Sequence, residues 1–297
     1  MHKEAIILEI SEVKELIKTQ FPHWSNLSIE KIDSWGTVNT VYKLGENYSI
    51  RIPKTIYGVA QIQKESKWLS KLSRELPLSI PRVIKVGKAG RLYPQIWAIY
   101  DWIEGETGVR ENLSNISENI ELLTGFIKSL QAVEIEEKLA PGYHNGYRGE
   151  PLENRDKKTR ETIQKLEGLI NREIAEKVWS EALIYPARSE ELKLIHGDLQ
   201  SGNILSKNGK IKSIIDFGCL GVGDIACDLM PAWNLLNSTE RKGFKCQMSV
   251  EESVWKRGRG WSLTVSLVAL EYYMHTNKGL AEISKYTIQE IEKEYWY

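Results

Sequence analysis

Apolar residues recur along this chain with two different periods. Over residues 58–76, Ile62, Leu69, Leu72 and Leu76 fall at three- and four-residue steps, which predicts an amphipathic helix. Before it, residues 47–52 read as a strand that Pro53 ends, and 27–33 with 40–44 read as an earlier hairpin. Residues 95–100 form another apolar run of strand length. Past residue 105 helical patterns take over, at 117–134, 155–182, 224–236, 250–275 and 279–294. They are interrupted by Leu194-Ile195, Ile204-Leu205 and a buried strand over 211–215. Strands first and helices afterwards predict an α+β chain in two parts: 1–104, with an antiparallel sheet and one long helix, and 105–297, mainly helical.

Two charged residues break the apolar pattern. Glu65 fills the missing place in the stripe 62, 65, 69, 72, 76. A carboxylate on such a face either reaches water at the stripe's edge or needs a buried partner. Arg51, on the strand just before, is the natural one. The other interruption is a polar loop between the short apolar anchors, His196-Gly197-Asp198-Leu199-Gln200-Ser201-Gly202-Asn203, followed by Asp216-Phe217-Gly218. An acid, an amide five residues on and a second acid thirteen further are the working parts of a phosphoryl-transfer site. Asp198 can meet an acceptor hydroxyl. Asn203 and Asp216 supply hard oxygen donors for Mg²⁺. The plain reading, a hairpin whose Asp and Asn residues cap turns, explains neither spacing.

With these residues in place, the chain resembles the aminoglycoside phosphotransferase family, related to macrolide phosphotransferases and choline kinases. Residues 34–81 and 194–277 carry the resemblance, and His-Gly-Asp in place of the His-Arg-Asp of protein kinases is typical of it. The resemblance implies a two-lobed protein-kinase-like fold with nucleotide and Mg²⁺ between the lobes. It implies Asp198 as the catalytic aspartate, and Asn203 and Asp216 as metal ligands. Arg51, where relatives carry Lys or Arg, would grip the phosphates and be held by Glu65. The turn bearing Gly36, Thr37 and Asn39 would cover the phosphates, although a plain β-turn explains it as well. Asp101 to Ile103 would border the base of ATP, with GTP equally compatible. Asp228 would brace the catalytic loop, and His196 would be a hydrogen-bonded loop imidazole rather than a second base.

Composition narrows the partners. Lys+Arg and Asp+Glu number 40 each, so a basic excess for nucleic acid is missing. The most apolar long run, 261–274, contains Glu271 and is too short to span a bilayer. Acids within the first 17 residues argue against a signal peptide, so a cytoplasmic protein is expected. Three cysteines without metal-type spacing are expected to be reduced. Gly218 to Gly223 reads as a flexible turn, and Asp224 follows only six residues after Gly218. No peptide-docking platform fits there, so a small-molecule acceptor is expected. An aminoglycoside-type antibiotic is the first choice. A macrolide, a housekeeping metabolite, or a non-enzymatic nucleotide-binding role stay open. Residues 219–297 carry 10 acids and 9 bases, so no broad acidic field marks a polycation site. Trp233, Trp261, Glu271 and Tyr272 are the candidate acceptor residues, with core packing an equal reading for the aromatics.

Overall fold

The computed structural model describes residues 6–32, 38–134 and 139–296. By contacts the chain divides into two compact units. The first holds residues up to 75, 79–104 and 216–218; the second holds 76–78, 105–215 and 219–297.

The first unit is built on one antiparallel sheet of five strands, β1 (Ile29–Ile32), β2 (Asn39–Leu44), β3 (Tyr48–Pro53), β4 (Val83–Gly87) and β5 (Trp97–Asp101), in the order β1-β2-β3-β5-β4. Along β2 burial alternates, with Thr40, Tyr42 and Leu44 inward, as a strand with one covered face requires. That face packs Tyr42, Leu44, Ile50, Ile52, Trp97 and Ile99 against Val13, Leu16 and Ile17 of helix α1 (Ile10–Gln20). Helix α2 (Ile56–Leu72) contacts β3, β4 and β5. Its buried stripe includes Ile62, Glu65, Leu69 and Leu72. Leu76 is buried beyond the helix end.

The second unit opens with α3 (Ile116–Ala132), whose N-cap Asn115 accepts the Glu118 N–H. A small antiparallel sheet joins β6 (Glu106–Thr107), β8 (Ile204–Lys207) and β9 (Lys210–Ile214). The helical pattern expected over 155–182 resolves into α4 (Asp156–Lys165) and α5 (Arg172–Leu183). The first ends at Lys165, Gly168 beyond it turns the chain with φ 87°, and Asn171, whose side chain accepts the Ile174 N–H, caps the second. The glycine-rich stretch expected to be a flexible turn is in part a strand, β10 (Gly221–Asp224), paired antiparallel with β7 (Leu192–Ile195). Backbone pairing needs no side chains, so composition misled there. Four helices complete the chain: the single turn α6 (Pro231–Asn234), α7 (Ser238–Met248), α8 (Glu252–Tyr273) and α9 (Lys278–Trp296).

Helix α8 is buried on almost every side from Val254 to Leu267 and packs on α4, α5 and α9. It carries Arg257 into the interior, where the guanidinium meets Asp224 at 2.8 Å and Glu191 at 2.7 Å. Pairing with two carboxylates offsets the cost of desolvating that charge. Among the described residues no helix is long and apolar enough to cross a membrane.

Candidate active site

In the first unit the functional candidates gather on α2, β3 and β5. Glu65 is 1 % exposed, and its Oε1 lies 3.3 Å from Arg51 Nη1. Tyr100 completes the group: its hydroxyl donates to Glu65 Oε2 at 2.5 Å, and the Arg51 guanidinium sits 4.4 Å from its ring centroid. Register explains the meeting. Arg51 pairs with Ala98, and Tyr100, two residues on, points to the same face. Burial, the largest influence, would lower the Arg51 pKa, but Glu65, Tyr100, Asp216 and Asp101 together outweigh it and the net direction is upward. Burial likewise drives the Tyr100 hydroxyl well above its ordinary range, so it stays a donor.

Asp216 and its two followers pack within this unit. Asp216 has a left-handed backbone, φ 64°, which costs an L-residue about 1 kcal/mol or more and is common at functional turns. Phe217 is fully buried. The Gly218 carbonyl accepts from buried Lys64 Nζ at 2.8 Å, and a Cβ on Gly218 would lie 2.3 Å from Gln61 Nε2. Gln61 Oε1 in turn accepts from Asn39 Nδ2 at 3.4 Å. Neither Lys64 nor Gln61 was marked by the sequence. Gly36 and Thr37 lie outside the described residues. At the end of β5 the Asp101 carboxylate is tied to Arg82, by its N–H at 2.7 Å and its Nε at 2.8 Å. Ile103, two residues on, is half-buried.

In the second unit the loop after β7 holds Asp198 from several directions. Gln200 Nε2 donates to Asp198 Oδ1 at 2.8 Å, and Asn203 Nδ2 donates to Oδ2 at 3.1 Å and to the Asp198 carbonyl at 2.9 Å. Arg148 Nη2 lies 3.5 Å from Asp198 Oδ1. His196 is fully buried; its Nδ1 accepts the Asp198 N–H at 3.2 Å and its Nε2 faces the Ile215 carbonyl at 3.2 Å. A neutral ring protonated on Nε2 satisfies both contacts. Asp228 accepts the N–H groups of His196 and Gly197 at 2.7 and 2.8 Å, which fixes the loop's entry. Burial pushes its carboxyl up to about 7, against the pull of those two donors.

The sequence matches the phosphotransferase enzyme family (APH) over residues 30–259. The chain belongs to that family. It is therefore a nucleotide-dependent small-molecule kinase by membership, and its two-lobed fold agrees with solved structures of the kind. A GDP and kanamycin complex of APH(2″)-IIIa aligns over 95 % of this chain and 98 % of its own, with TM-score 0.72 and 17 % identity. A streptomycin–ATP ternary complex of APH(2″)-IIa aligns over 97 % and 99 %, with TM-score 0.63 and 17 % identity. Macrolide 2′-phosphotransferase type I aligns over 96 % and 98 %, with TM-score 0.63 and 14 % identity. No curated protein matches by sequence.

The four acceptor candidates of this phosphotransferase have their described contacts with residues other than Asp198. Glu271 is held by Lys158 at 2.7 Å and Lys165 at 2.6 Å, with Thr162 at 3.1 Å, all on α4. Hydrogen bonds from the two lysines bring its carboxyl down to about 2. The acid that interrupts an apolar helix therefore serves helix pairing. Trp233 is core: its Nε1 donates to Glu294 and its ring lies 4.7 Å from Trp255. Trp261 is also core, with the Arg155 guanidinium 5.2 Å from its ring. Tyr272 is exposed and meets Tyr273 edge-on at 4.7 Å. A cavity of about 10 Å³, room for about one water, reaches the Asp198 loop at Gln200. Its lining is uncharged and includes Asn234, Ser262, Ser266, Ser284 and Thr287.

Among the described residues no three His, Cys, Asp or Glu side chains converge on a metal position. Mg²⁺ does not require such a cage, since it takes one or two carboxylates plus phosphate oxygens and water. Asn203 fits that role chemically: its Nδ2 is spent on Asp198, which leaves the amide oxygen available to a cation. The Asp216 carboxylate accepts a long 3.3 Å bond from the Gly218 N–H and keeps lone pairs for a cation.

Proposed function

We propose that this chain transfers the γ-phosphoryl group of ATP or GTP to a hydroxyl of a small molecule, with Asp198 as the catalytic base. The observation that carries the reading is the Asp198 carboxylate, held by Gln200 and Asn203 on a loop braced by Asp228. In the step, the acceptor oxygen bonds to the γ-phosphorus and its proton passes to Asp198. The bond from phosphorus to the β–γ bridging oxygen breaks, and its electron pair leaves with the nucleoside diphosphate. Arg51, oriented by Glu65 and Tyr100, carries the positive charge for the phosphates. Asn203 and Asp216 would hold Mg²⁺, which when bound offsets phosphate charge.

An aminoglycoside-type acceptor, and with it a role in antibiotic resistance, is supported by the kanamycin and streptomycin complexes among the structural neighbours. A second reading, an uncharged acceptor such as a macrolide or a metabolite, is favoured by the engagement of Glu271 by lysines, which leaves that acid no free charge for a polycation. The test is nucleotide consumption by the purified protein with Mg²⁺ and ATP or GTP, against kanamycin, streptomycin, a macrolide and a panel of hydroxylated metabolites. Product is detected by the added phosphate mass. Asp198→Asn should lose transfer by several orders of magnitude while still binding nucleotide. Transfer by that variant within about tenfold of the parent would remove Asp198 from the chemistry.

A further inference from the structure

The catalytic loop, His196 to Asn203, contains no lysine or arginine. Phosphoryl transfer gathers negative charge at the reacting centre and draws on fixed cations there. A cation nevertheless stands next to Asp198, and it comes from about fifty residues upstream: Arg148, at 3.5 Å from Oδ1, mostly buried.

The segment that delivers Arg148 is tightly specified. Gly146, Tyr147 and Gly149 all have left-handed backbones, with φ of 62°, 58° and 76°. For Tyr147 that conformation is strained by about 1 kcal/mol or more. Gly149 has no room for a side chain, since a Cβ would lie 2.6 Å from Ile195 Cδ1 and 2.9 Å from the Gly223 Cα. Its carbonyl accepts the Asp224 N–H at 2.9 Å, which ties the segment to β10. From within, buried Asn145 accepts the Gly142 N–H at 2.9 Å and donates to the Arg148 carbonyl at 3.0 Å. On the loop side a Cβ at Gly197 would meet the Arg148 Cβ at 3.0 Å, so the two backbones run in close contact. Arg155 is differently engaged. It pairs with Glu150 at 3.4 Å and lies over Trp261, and burial together with the Arg148 charge brings its pKa down to about 10.

The acceptor capacity of Asp198 can now be counted. A carboxylate has about four lone-pair directions. Among the described residues, Oδ1 receives Gln200 and Arg148, and Oδ2 receives Asn203. The described residues leave one direction, on Oδ2, for an acceptor hydroxyl.

We propose that Arg148 is a positioning residue for phosphoryl transfer: it occupies Oδ1 of Asp198, so that Oδ2 alone takes the acceptor proton, and it supplies the positive charge that the catalytic loop lacks. At 3.5 Å the pair is longer than the 2.8 Å bond from Gln200, so the guanidinium acts on Asp198 mainly through its charge. The proposal rests on the reading of Asp198 as catalytic base.

The experiment uses the full chain and Mg²⁺-ATP, with water as acceptor and phosphate release as the readout, so no acceptor need be known. Arg148→Ala should lower kcat about 100-fold with KM for ATP within about twofold, and Arg148→Lys should recover part of the loss. Added guanidinium ion should restore turnover to Arg148→Ala and not to Asp198→Asn. A merely structural arginine would show unequal melting temperatures and no rescue. Arg148→Ala turnover within about twofold of the parent, or a loss that neither guanidinium nor lysine relieves, would overturn the proposal. Should the alanine variant not fold, the lysine and glutamine variants carry the same comparison, with glutamine expected at the alanine level. If Asp198→Asn itself hydrolyses ATP normally, the base assignment is what fails. If Asp198→Asn is inactive and Arg148→Ala is not, only the role of Arg148 fails.

Discussion

The Tyr100 hydroxyl and the Glu65 carboxylate share a 2.5 Å hydrogen bond in the interior of the sheet-bearing unit. Glu65 therefore has both oxygens occupied, one by Arg51 and one by Tyr100. Tyr100→Phe should leave Oε2 buried and unsatisfied, at a cost of about 1–3 kcal/mol. The check is the urea unfolding midpoint, with the denaturant slope expected to stay constant. An unchanged midpoint would mean that the bond contributes nothing net.

Glu65→Gln is expected to be more severe, because it strands a buried guanidinium; breaking one partner of such a pair costs about 3–5 kcal/mol. Joint replacement, Arg51→Met with Glu65→Leu, should recover much of that stability and still lose nucleotide binding. Calorimetry with a nucleotide analogue distinguishes the cases. A stable double variant that binds nucleotide with parental affinity would sink the phosphate role of Arg51.

Asp228 gives the fold a pH dependence of definite sign. Its carboxyl titrates near 7 in the fold, against 3.8 as the ordinary value. Between those values the folded chain binds the extra proton, so this group's contribution to stability falls as pH rises from about 4 to about 7 and then levels off. The shift corresponds to roughly 4 kcal/mol. Unfolding midpoints measured from pH 5 to 8 should decline less steeply in Asp228→Asn than in the parent, although the variant is weaker throughout because an amide oxygen cannot replace both carboxylate oxygens. Parallel slopes would contradict the assignment.

Glu271 runs the other way. Its carboxyl is held down near 2, so its ion pairs stabilise the fold above about pH 4.5 and are lost only as pH falls toward 2. The site is solvent-facing, so Glu271→Gln should cost under about 1 kcal/mol. Transfer kinetics should be unchanged for any acceptor. A selective rise in the acceptor KM would instead return Glu271 to the substrate site.

Legibility from sequence followed how local each signal was. The spacing of Asp198, Asn203 and Asp216 is contained in one short stretch, and Glu65 betrayed itself as a charge inside an apolar stripe. Tyr100 was hidden because its partnership depends on the pairing register of β3 with β5. Lys64 was hidden because lysines on helices ordinarily face water, whereas here Nζ reaches the Gly218 carbonyl. Arg148 lies in a loop with no periodicity, and only the clustering of glycines around it hinted at a constrained backbone. Glu271 misled for the reason that revealed Glu65. Both interrupt apolar helices, but the lysines that satisfy Glu271 sit on α4, more than a hundred residues away.

The three residues from Asp216 to Gly218 are grouped with the sheet-bearing unit, while Ile215 and Cys219 on either side are grouped with the helical one. A fragment that ends at Glu104 is consequently incomplete: Lys64 would lose the carbonyl it binds, and Gln61 the glycine it packs against. The same holds for chimeras between relatives. A single crossover after residue 104 joins one parent's α2 to the other parent's Asp-Phe-Gly, and the hybrid is sound only where both parents carry matching residues at 61, 64 and 216–218. The sheet-bearing unit of this chain is thus not a self-contained cassette, because part of its packing is supplied by a segment more than a hundred residues further along.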